Sequence, residues 1–183
     1  MGSQEHSSEW QRVLYREVSA KLLLYGRGLG LGHAEAEDVL QETFVALLKL
    51  GHEPRQPEFY VLRAYRNKAL SWKRTVMRRF RREEKAEAWF EKDEIPDGAG
   101  EALAKRELEK LPPAQREAII LKIWQGCTFE EIGRLLSISP NTAAARYRYG
   151  LQKLKKRMEK FRHERVDGDT IEWLDAAPAF GTH

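Results

Sequence analysis

Apolar residues recur along most of the chain at the spacing of amphipathic α-helices, and the alternating pattern of β-strands is nearly absent. The first predicted helix runs from about Glu9 to Tyr25 and ends at four glycines: Gly26, Gly28, Gly30 and Gly32. Further helices are predicted at about 34–50, 58–90, 101–111, 114–124 and on both sides of a turn within 128–158. We therefore predict an all-α protein of two small helical domains, joined by a flexible acidic linker at 91–100.

The segment 128–158 has the pattern of a helix-turn-helix whose second helix is basic. Thr128 and Glu131 are spaced as a capping box at the start of the first helix. After the turn, Ser139 is placed to cap a helix that begins with Pro140. This order would present the N-terminal side chains of the second helix to a DNA major groove. The alternative is a plain helical hairpin with a solvated charged face.

Charge is distributed unevenly along the chain, although the net charge is only +4. Residues 61–90 hold ten Lys and Arg against three Glu, and residues 141–165 hold nine against two. Residues 31–58 hold six Asp and Glu against two Lys and Arg. The two basic segments predict two contacts with polyanions, and the acidic segment predicts a contact of another kind, with protein. For each segment taken alone, a solvated helix face is the alternative.

Aromatic and basic residues are interleaved in the predicted helix 58–90. This mixture suits single-stranded nucleic acid, because bases stack on aromatic rings while Arg and Lys follow the phosphates. For Tyr60, Tyr65 and Trp72, a core position at helical spacing is the alternative.

The residues present argue against several other classes of protein. Cys127 is the single cysteine, which excludes a disulfide framework or a cysteine zinc site within one chain. The five histidines are scattered and no Ser–His–Asp grouping is visible, so we expect no metal site, no cofactor and no enzymatic activity. The N-terminal segment has no apolar signal core and no stretch approaches membrane length, which predicts a cytoplasmic protein without membrane insertion.

Three motifs, in order, resemble the extracytoplasmic-function (ECF) family of RNA polymerase sigma factors. The region-2 signature of that family is matched by AEDVLQETFVALLKL at 36–50, and the segment that follows it by YVLRAYRN at 60–67. Region 4 is matched by LPPAQREAIILKIWQG at 111–126 and TFEEIGRLLSISPNTAAAR at 128–146. One helix-turn-helix would be a weak signal, whereas three motifs in the family's order, over about residues 10–160, are a specific one.

The resemblance implies a promoter-specificity subunit, which binds the β′ clamp and β flap of core RNA polymerase and directs it to promoter DNA. It implies region 2 at 9–90, the linker at 91–100 and region 4 at 101–160, with the tail 161–183 outside it. Sigma factors of this family are commonly held by anti-sigma factors, so such a partner is expected here. The apolar cluster in the tail could dock onto a domain, contact a regulator or be disordered; its members are Ile171, Trp173 and Leu174.

Carried over motif by motif, the resemblance assigns three sets of contact residues. The polymerase clamp would be contacted by Asp38, Gln41, Glu42 and Phe44, of which Phe44 has a core position as its alternative. The minus-10 element would be read beside the base-capturing loop 51–57 by Tyr60, Arg63, Arg66, Asn67, Lys68, Lys73 and Arg74. The minus-35 element would be read by Ser139, Pro140, Asn141, Thr142, Ala144, Ala145, Arg146 and Arg148. Salt-dependent affinity would come from Lys153, Lys155, Lys156 and Arg157.

The chain departs from the family's pattern within the helix-turn-helix. Gly133 replaces the usual Ala, Ser137 stands where Gly is common, and the pair Ala144–Ala145 is less polar than usual. Gly150 lies inside the second helix, where it is expected to cost about 1 kcal/mol relative to Ala. The rival function is a two-module helix-turn-helix regulator that acts without joining polymerase.

Overall fold

The computed structural model describes the backbone of residues 2–50, 52–83 and 106–164, and the side chains of residues 9–50, 52–76 and 106–159. No β-strand occurs in those backbone ranges, as the apolar spacing predicted. A turn of helix at 106–109 accompanies six longer helices. These are α1 (Gly2–Gly28), α2 (His33–Leu48), α3 (Pro57–Glu83), α4 (Pro113–Ile123), α5 (Phe129–Leu136) and α6 (Pro140–Glu164).

The chain divides into two compact units, the first containing α1–α3 and the second most of the elements after residue 105. In the first unit each of the three helices packs against the other two. Their apolar stripes meet in a core that includes Leu22 and Tyr25 of α1, Leu47 of α2, and Val61 and Tyr65 of α3. Burial of such stripes is what stabilises helices of this length in a small domain.

The expectation that the glycine cluster breaks α1 at Gly26 is wrong, because the helix continues to Gly28. A Cβ atom at Gly26 would overlap the hydroxyl of Tyr65. Because residue 26 has no side chain, the Tyr65 ring can pass close to α1. Its hydroxyl then donates a hydrogen bond to the Ala36 carbonyl oxygen at 3.3 Å. The chain turns later, at Gly30, which has a positive φ of 92°. Tertiary packing outweighs the weak helix propensity of glycine here.

In the second unit, the turn at 106–109, α4 and α6 share a core cluster. Its buried members are Leu111, Ala118, Ile119, Tyr147, Leu154 and Met158. Gly150 of α6 lies at the helix crossing, where an added Cβ would lie 2.8 Å from Ile119 Cδ1 and 3.3 Å from the Gln115 carbonyl oxygen. The lack of a side chain at Gly150 thus lets α6 approach α4 closely, in exchange for the expected loss of helix propensity.

Several predictions fall outside the described residues. They concern the end of the long helix at 84–90, the acidic linker at 91–100, the start of the predicted helix at 101–105, and the tail after residue 164 with its apolar cluster.

Candidate functional site

The first helix of the helix-turn-helix begins with the predicted capping box. The Thr128 hydroxyl accepts a hydrogen bond from the Glu131 N–H at 3.2 Å, and the Glu131 carboxylate accepts one from the Thr128 N–H at 2.8 Å. Two N–H groups that a helix terminus leaves unpaired are thereby satisfied. Ile132 and Leu135 are buried on the inner face of α5, while Leu136 is half-buried.

The turn between α5 and α6 is unusually close to the helix before it. Ser137 adopts the left-handed conformation, with φ 56° and ψ 47°, the conformation for which glycine is the usual residue. The Gly133 carbonyl accepts from the N–H groups of both Ser137 and Ile138. A Cβ at Gly133 would lie only 2.8 Å from the Ile138 carbonyl oxygen. The two departures from the family pattern, Gly133 and Ser137, thus belong to one tight turn.

The recognition helix α6 begins at Pro140, with Ser139 as its cap, as predicted. The Ser139 hydroxyl oxygen accepts from the Thr142 N–H at 3.0 Å and lies 2.8 Å from the Thr142 hydroxyl oxygen. One of the two hydroxyls donates to the other, so a single hydroxyl hydrogen of the pair is left for a phosphate. Both side chains are exposed at the N-terminal end of the helix, where anions bind favourably.

The predicted minus-35 residues occupy the outer side of α6 over its first two and a half turns. Ala143, Tyr147 and Gly150 face inward and are buried. Burial raises the pKa of the Tyr147 phenol, whose ring packs 5.7 Å from that of Phe129. The predicted readers divide into exposed residues (Ser139, Pro140, Asn141, Thr142 and Arg148) and half-buried ones (Ala144, Ala145 and Arg146).

In the C-terminal half of α6 the basic residues are not equivalent. Lys153, Lys155 and Lys156 are exposed. Arg157 is half-buried and lies 3.7 Å from the carboxylate of Glu107, which is itself only 2% exposed and also pairs with Lys110. The expectation that Arg157 supplies salt-dependent DNA affinity stays a prediction, and the contact of Arg157 with the buried Glu107 carboxylate is the structural alternative.

The aromatic residues of α3 separate into an outer and an inner set. Tyr60 is 43% exposed, whereas Tyr65 is completely buried, so the core alternative applies to Tyr65 and not to Tyr60. Burial raises the pKa of the Tyr65 phenol above its ordinary value of 10.0. Trp72 is half-buried and faces α2. Of these three aromatic residues, Tyr60 is the one exposed on the outer face, so the predicted stacking of α3 on single-stranded nucleic acid depends on Tyr60.

Four of the predicted minus-10 residues share the outer face of α3, and three lie on its flanks. The exposed outer set is Tyr60, Arg63, Asn67 and Arg74. On the flanks, Lys68 pairs with Glu42 of α2 at 3.3 Å, and Arg66 is half-buried. Lys73 donates to the Leu29 carbonyl at 2.8 Å, beyond the C-terminal end of α1, where a cation is favourable. These contacts hold Lys68 and Lys73 against the protein.

An open groove of about 520 Å³ lies between α2 and α3 in the first unit. It is lined by Asp38, Gln41, Glu42, Val45, Ala46, Lys49, Lys68 and Trp72. Three of the four predicted polymerase contacts thus meet on one surface. The fourth, Phe44, is only 8% exposed and packs edge-on against Tyr15 at 4.9 Å, so the structure places it in the core.

Two apolar contributors to this surface, Val45 and Trp72, are not among the contact residues predicted from the sequence. Val45 is 53% exposed, and it follows Gln41 by four residues and Asp38 by seven, so helical spacing alone could have placed it there. Trp72 carried no such signal, because its position against α2 depends on how α3 packs.

Two further findings concern the described residues as a whole. No helix among them is both long and apolar enough to cross a lipid bilayer. Within the same residues, no group of three or more His, Cys, Asp or Glu side chains is arranged to hold a metal ion.

The structure thus combines two helical units, one with a capped helix-turn-helix and one with an aromatic and basic outer helix face, an arrangement typical of nucleic-acid-binding proteins. The family "Sigma-70, region 4" matches residues 102–154. The chain is 32% identical to the RNA polymerase sigma factor CarQ of Myxococcus xanthus over 140 residues, 67% of this chain and 74% of the relative. The ECF RNA polymerase sigma factor SigE of Mycolicibacterium smegmatis is 27% identical over 176 residues, 89% of this chain and 66% of the relative.

A solved structure has a similar fold: the sigma factor RpoE of Bartonella quintana, crystallised in complex with the anti-sigma factor NepR. The TM-score is 0.63 at 20% identity, and the match covers 79% of this chain and 95% of that one. The chain belongs to the ECF family of RNA polymerase sigma factors, as the three sequence motifs predicted.

Proposed function

We propose that this sigma factor binds core RNA polymerase through the groove between α2 and α3. The observation that carries the proposal is the meeting of Asp38, Gln41 and Glu42 on that groove, beside the exposed apolar side chain of Val45. Such a surface suits a partner with charged residues around an apolar contact, because Asp38 and Glu42 attract basic groups, Lys49 and Lys68 attract acidic ones, and burial of apolar area supplies affinity. We assign this partner as the β′ clamp, and the β flap as the contact of region 4.

The outer face of α3 contacts the minus-10 element in this proposal. Tyr60 offers a stacking surface for a base of the melted strand, while Arg63 and Arg74 contact phosphates. Asn67 lies between them on the same face and has both donor and acceptor groups for a base edge. Lys68 and Lys73, held by Glu42 and the Leu29 carbonyl, contribute less.

The first turns of α6 contact the minus-35 element as duplex DNA. Asn141 is exposed at the start of the helix and is suited to adenine, while Arg146 and Arg148 are suited to guanine or to phosphates. Ser139 and Thr142 hold the helix start and retain one hydroxyl donor for the DNA backbone.

The remaining parts of the proposal follow from the same family. The protein acts in the cytoplasm without enzymatic activity of its own or a cofactor. We place region 2 at 9–90, the linker at 91–100 and region 4 at 101–160. An anti-sigma factor is a further proposed partner, supported by the similar fold of RpoE, which was crystallised with NepR.

The test is reconstitution of the full chain with core polymerase, followed by run-off transcription on a genomic library. We expect discrete start sites that depend on the chain, and about tenfold weaker binding of core by Asp38→Lys. Glu37→Lys is the matched control: it makes the same charge change one residue earlier, outside the groove lining. Specific duplex binding by the free chain, with no binding of core polymerase, would instead identify the rival regulator.

A further inference from the structure

Tyr149 is the most exposed aromatic residue among the described side chains, at 58%, yet it lies in the middle of the recognition helix. Two residues earlier, Tyr147 is 5% exposed and belongs to the core. Because a helix turns about 100° per residue, the two rings point to different sides of α6. Helix packing therefore accounts for Tyr147 and leaves the position of Tyr149 unexplained.

Tyr149 shares its side of α6 with two residues whose side chains carry methyl groups. Thr142, Ala145 and Tyr149 are spaced by three and four residues, which places them within about 60° of one another around the helix. The Thr142 hydroxyl is engaged with Ser139, which leaves the methyl group for other contacts. Ala145 has no side chain beyond its methyl, so nothing from that position covers the Tyr149 ring.

Basic residues flank this row on both sides. Arg146 and Lys153 lie around the helix in one direction from it, and Arg148 and Lys155 lie in the other. The row itself is about 10 Å long, close to three base-pair steps of about 3.4 Å. A central apolar row between two cationic edges matches a major groove, whose floor carries base edges and whose walls carry phosphates.

We propose that Thr142, Ala145 and Tyr149 form an apolar seam that reads the C5-methyl groups of thymines in the minus-35 duplex. Thymine is the base whose methyl group projects into the major groove, and alanine, threonine methyl and aromatic side chains are its usual contacts. The seam rests on the proposed function, in which α6 enters that groove. It gives the unusual Ala145 a role: a larger polar side chain there would cover the ring of Tyr149.

The test uses holoenzyme made from the full chain and core polymerase. A promoter library with a randomised minus-35 region is selected for binding, and we expect thymines at two or more neighbouring steps. Each selected thymine is then replaced by deoxyuridine, which removes only the methyl group. We expect about fourfold weaker binding per replaced thymine, the value of one buried methyl group.

Three variants test whether the loss of binding on deoxyuridine replacement depends on the seam. Tyr149→Ala should abolish the deoxyuridine effect at one position, and Tyr149→Phe should keep it. Lys153→Ala is the phosphate control: it should weaken binding to all sequences equally and keep full deoxyuridine sensitivity. For each variant, a helical circular dichroism signal equal to that of the wild type would show that the helix is intact.

Two results would overturn the seam while leaving the sigma function in place: selected sites that tolerate deoxyuridine, or Tyr149→Ala holoenzyme that stays fully sensitive to it. A holoenzyme that selects no upstream sequence would overturn the proposed promoter recognition, and the seam with it.

Discussion

Gly133→Ala is expected to destabilise the second unit, although alanine is the stronger helix former and the usual family residue at this position. The helix propensity gain is about 1 kcal/mol. Against it, the new Cβ would lie 2.8 Å from the Ile138 carbonyl oxygen and 3.3 Å from the Pro140 nitrogen. Both are backbone atoms that yield only if the turn opens. Overpacking of this kind costs about 1–3 kcal/mol.

Opening the turn also weakens the hydrogen bond from the Ile138 N–H to the Gly133 carbonyl, now 3.0 Å, which is worth about 1 kcal/mol. The lost hydrogen bond and the gained helix propensity nearly cancel, so the net expectation is a loss of about 1–3 kcal/mol in the free energy of unfolding. Thermal unfolding followed by circular dichroism measures it, at about 4–8 °C per kcal/mol for a unit of this size. Gln152→Ala, at an exposed position of α6 in the same unit, is the control and should stay within about 0.5 kcal/mol. A Gly133→Ala protein as stable as wild type, or more stable, would refute the tight-turn reasoning.

Three further changes test other contacts. Gly150→Ala should lower the free energy of unfolding by up to about 2 kcal/mol, because Ile119 and the Gln115 backbone leave no room for a methyl group; a stabilised variant in urea titrations would contradict this. Tyr65→Phe should lose about 1 kcal/mol near neutral pH. Since burial raises the pKa of Tyr65, wild-type stability should hold below pH 10.0 and fall above it, and the variant should fall less; equal slopes in denaturation at alkaline pH would argue against this. Arg157→Ala should leave the salt dependence of holoenzyme–DNA binding unchanged, whereas Lys156→Ala should reduce the log–log slope by about one; equal reductions would show that Arg157 also contacts DNA.

Features fixed by neighbouring residues could be predicted from the sequence. The helix caps at Thr128 and Ser139 were predicted correctly, because each depends on side chains within three residues of the helix start. The grouping of Asp38, Gln41 and Glu42 also followed from helical spacing alone.

Features that join distant segments could not be predicted in the same way. Gly26 was expected to end α1, and only the passage of Tyr65 beside it explains why the helix continues. Arg157 looked like its neighbouring lysines until Glu107, fifty positions earlier in the chain, was found beside it. Local propensity carries no information about either contact, since each depends on how the helices pack.

The pairing of Lys68 with Glu42 has a thermodynamic consequence. Glu42 lines the groove proposed for polymerase, and Lys68 lies on the flank of the helix proposed for the minus-10 strand. A partner that engages Glu42 releases Lys68 for a phosphate, and a phosphate that captures Lys68 releases Glu42, so each binding event favours the other. Linkage requires the two effects to be equal. An exposed pair of this kind is worth at most about 1 kcal/mol, which limits this cooperativity between polymerase and promoter to about fivefold.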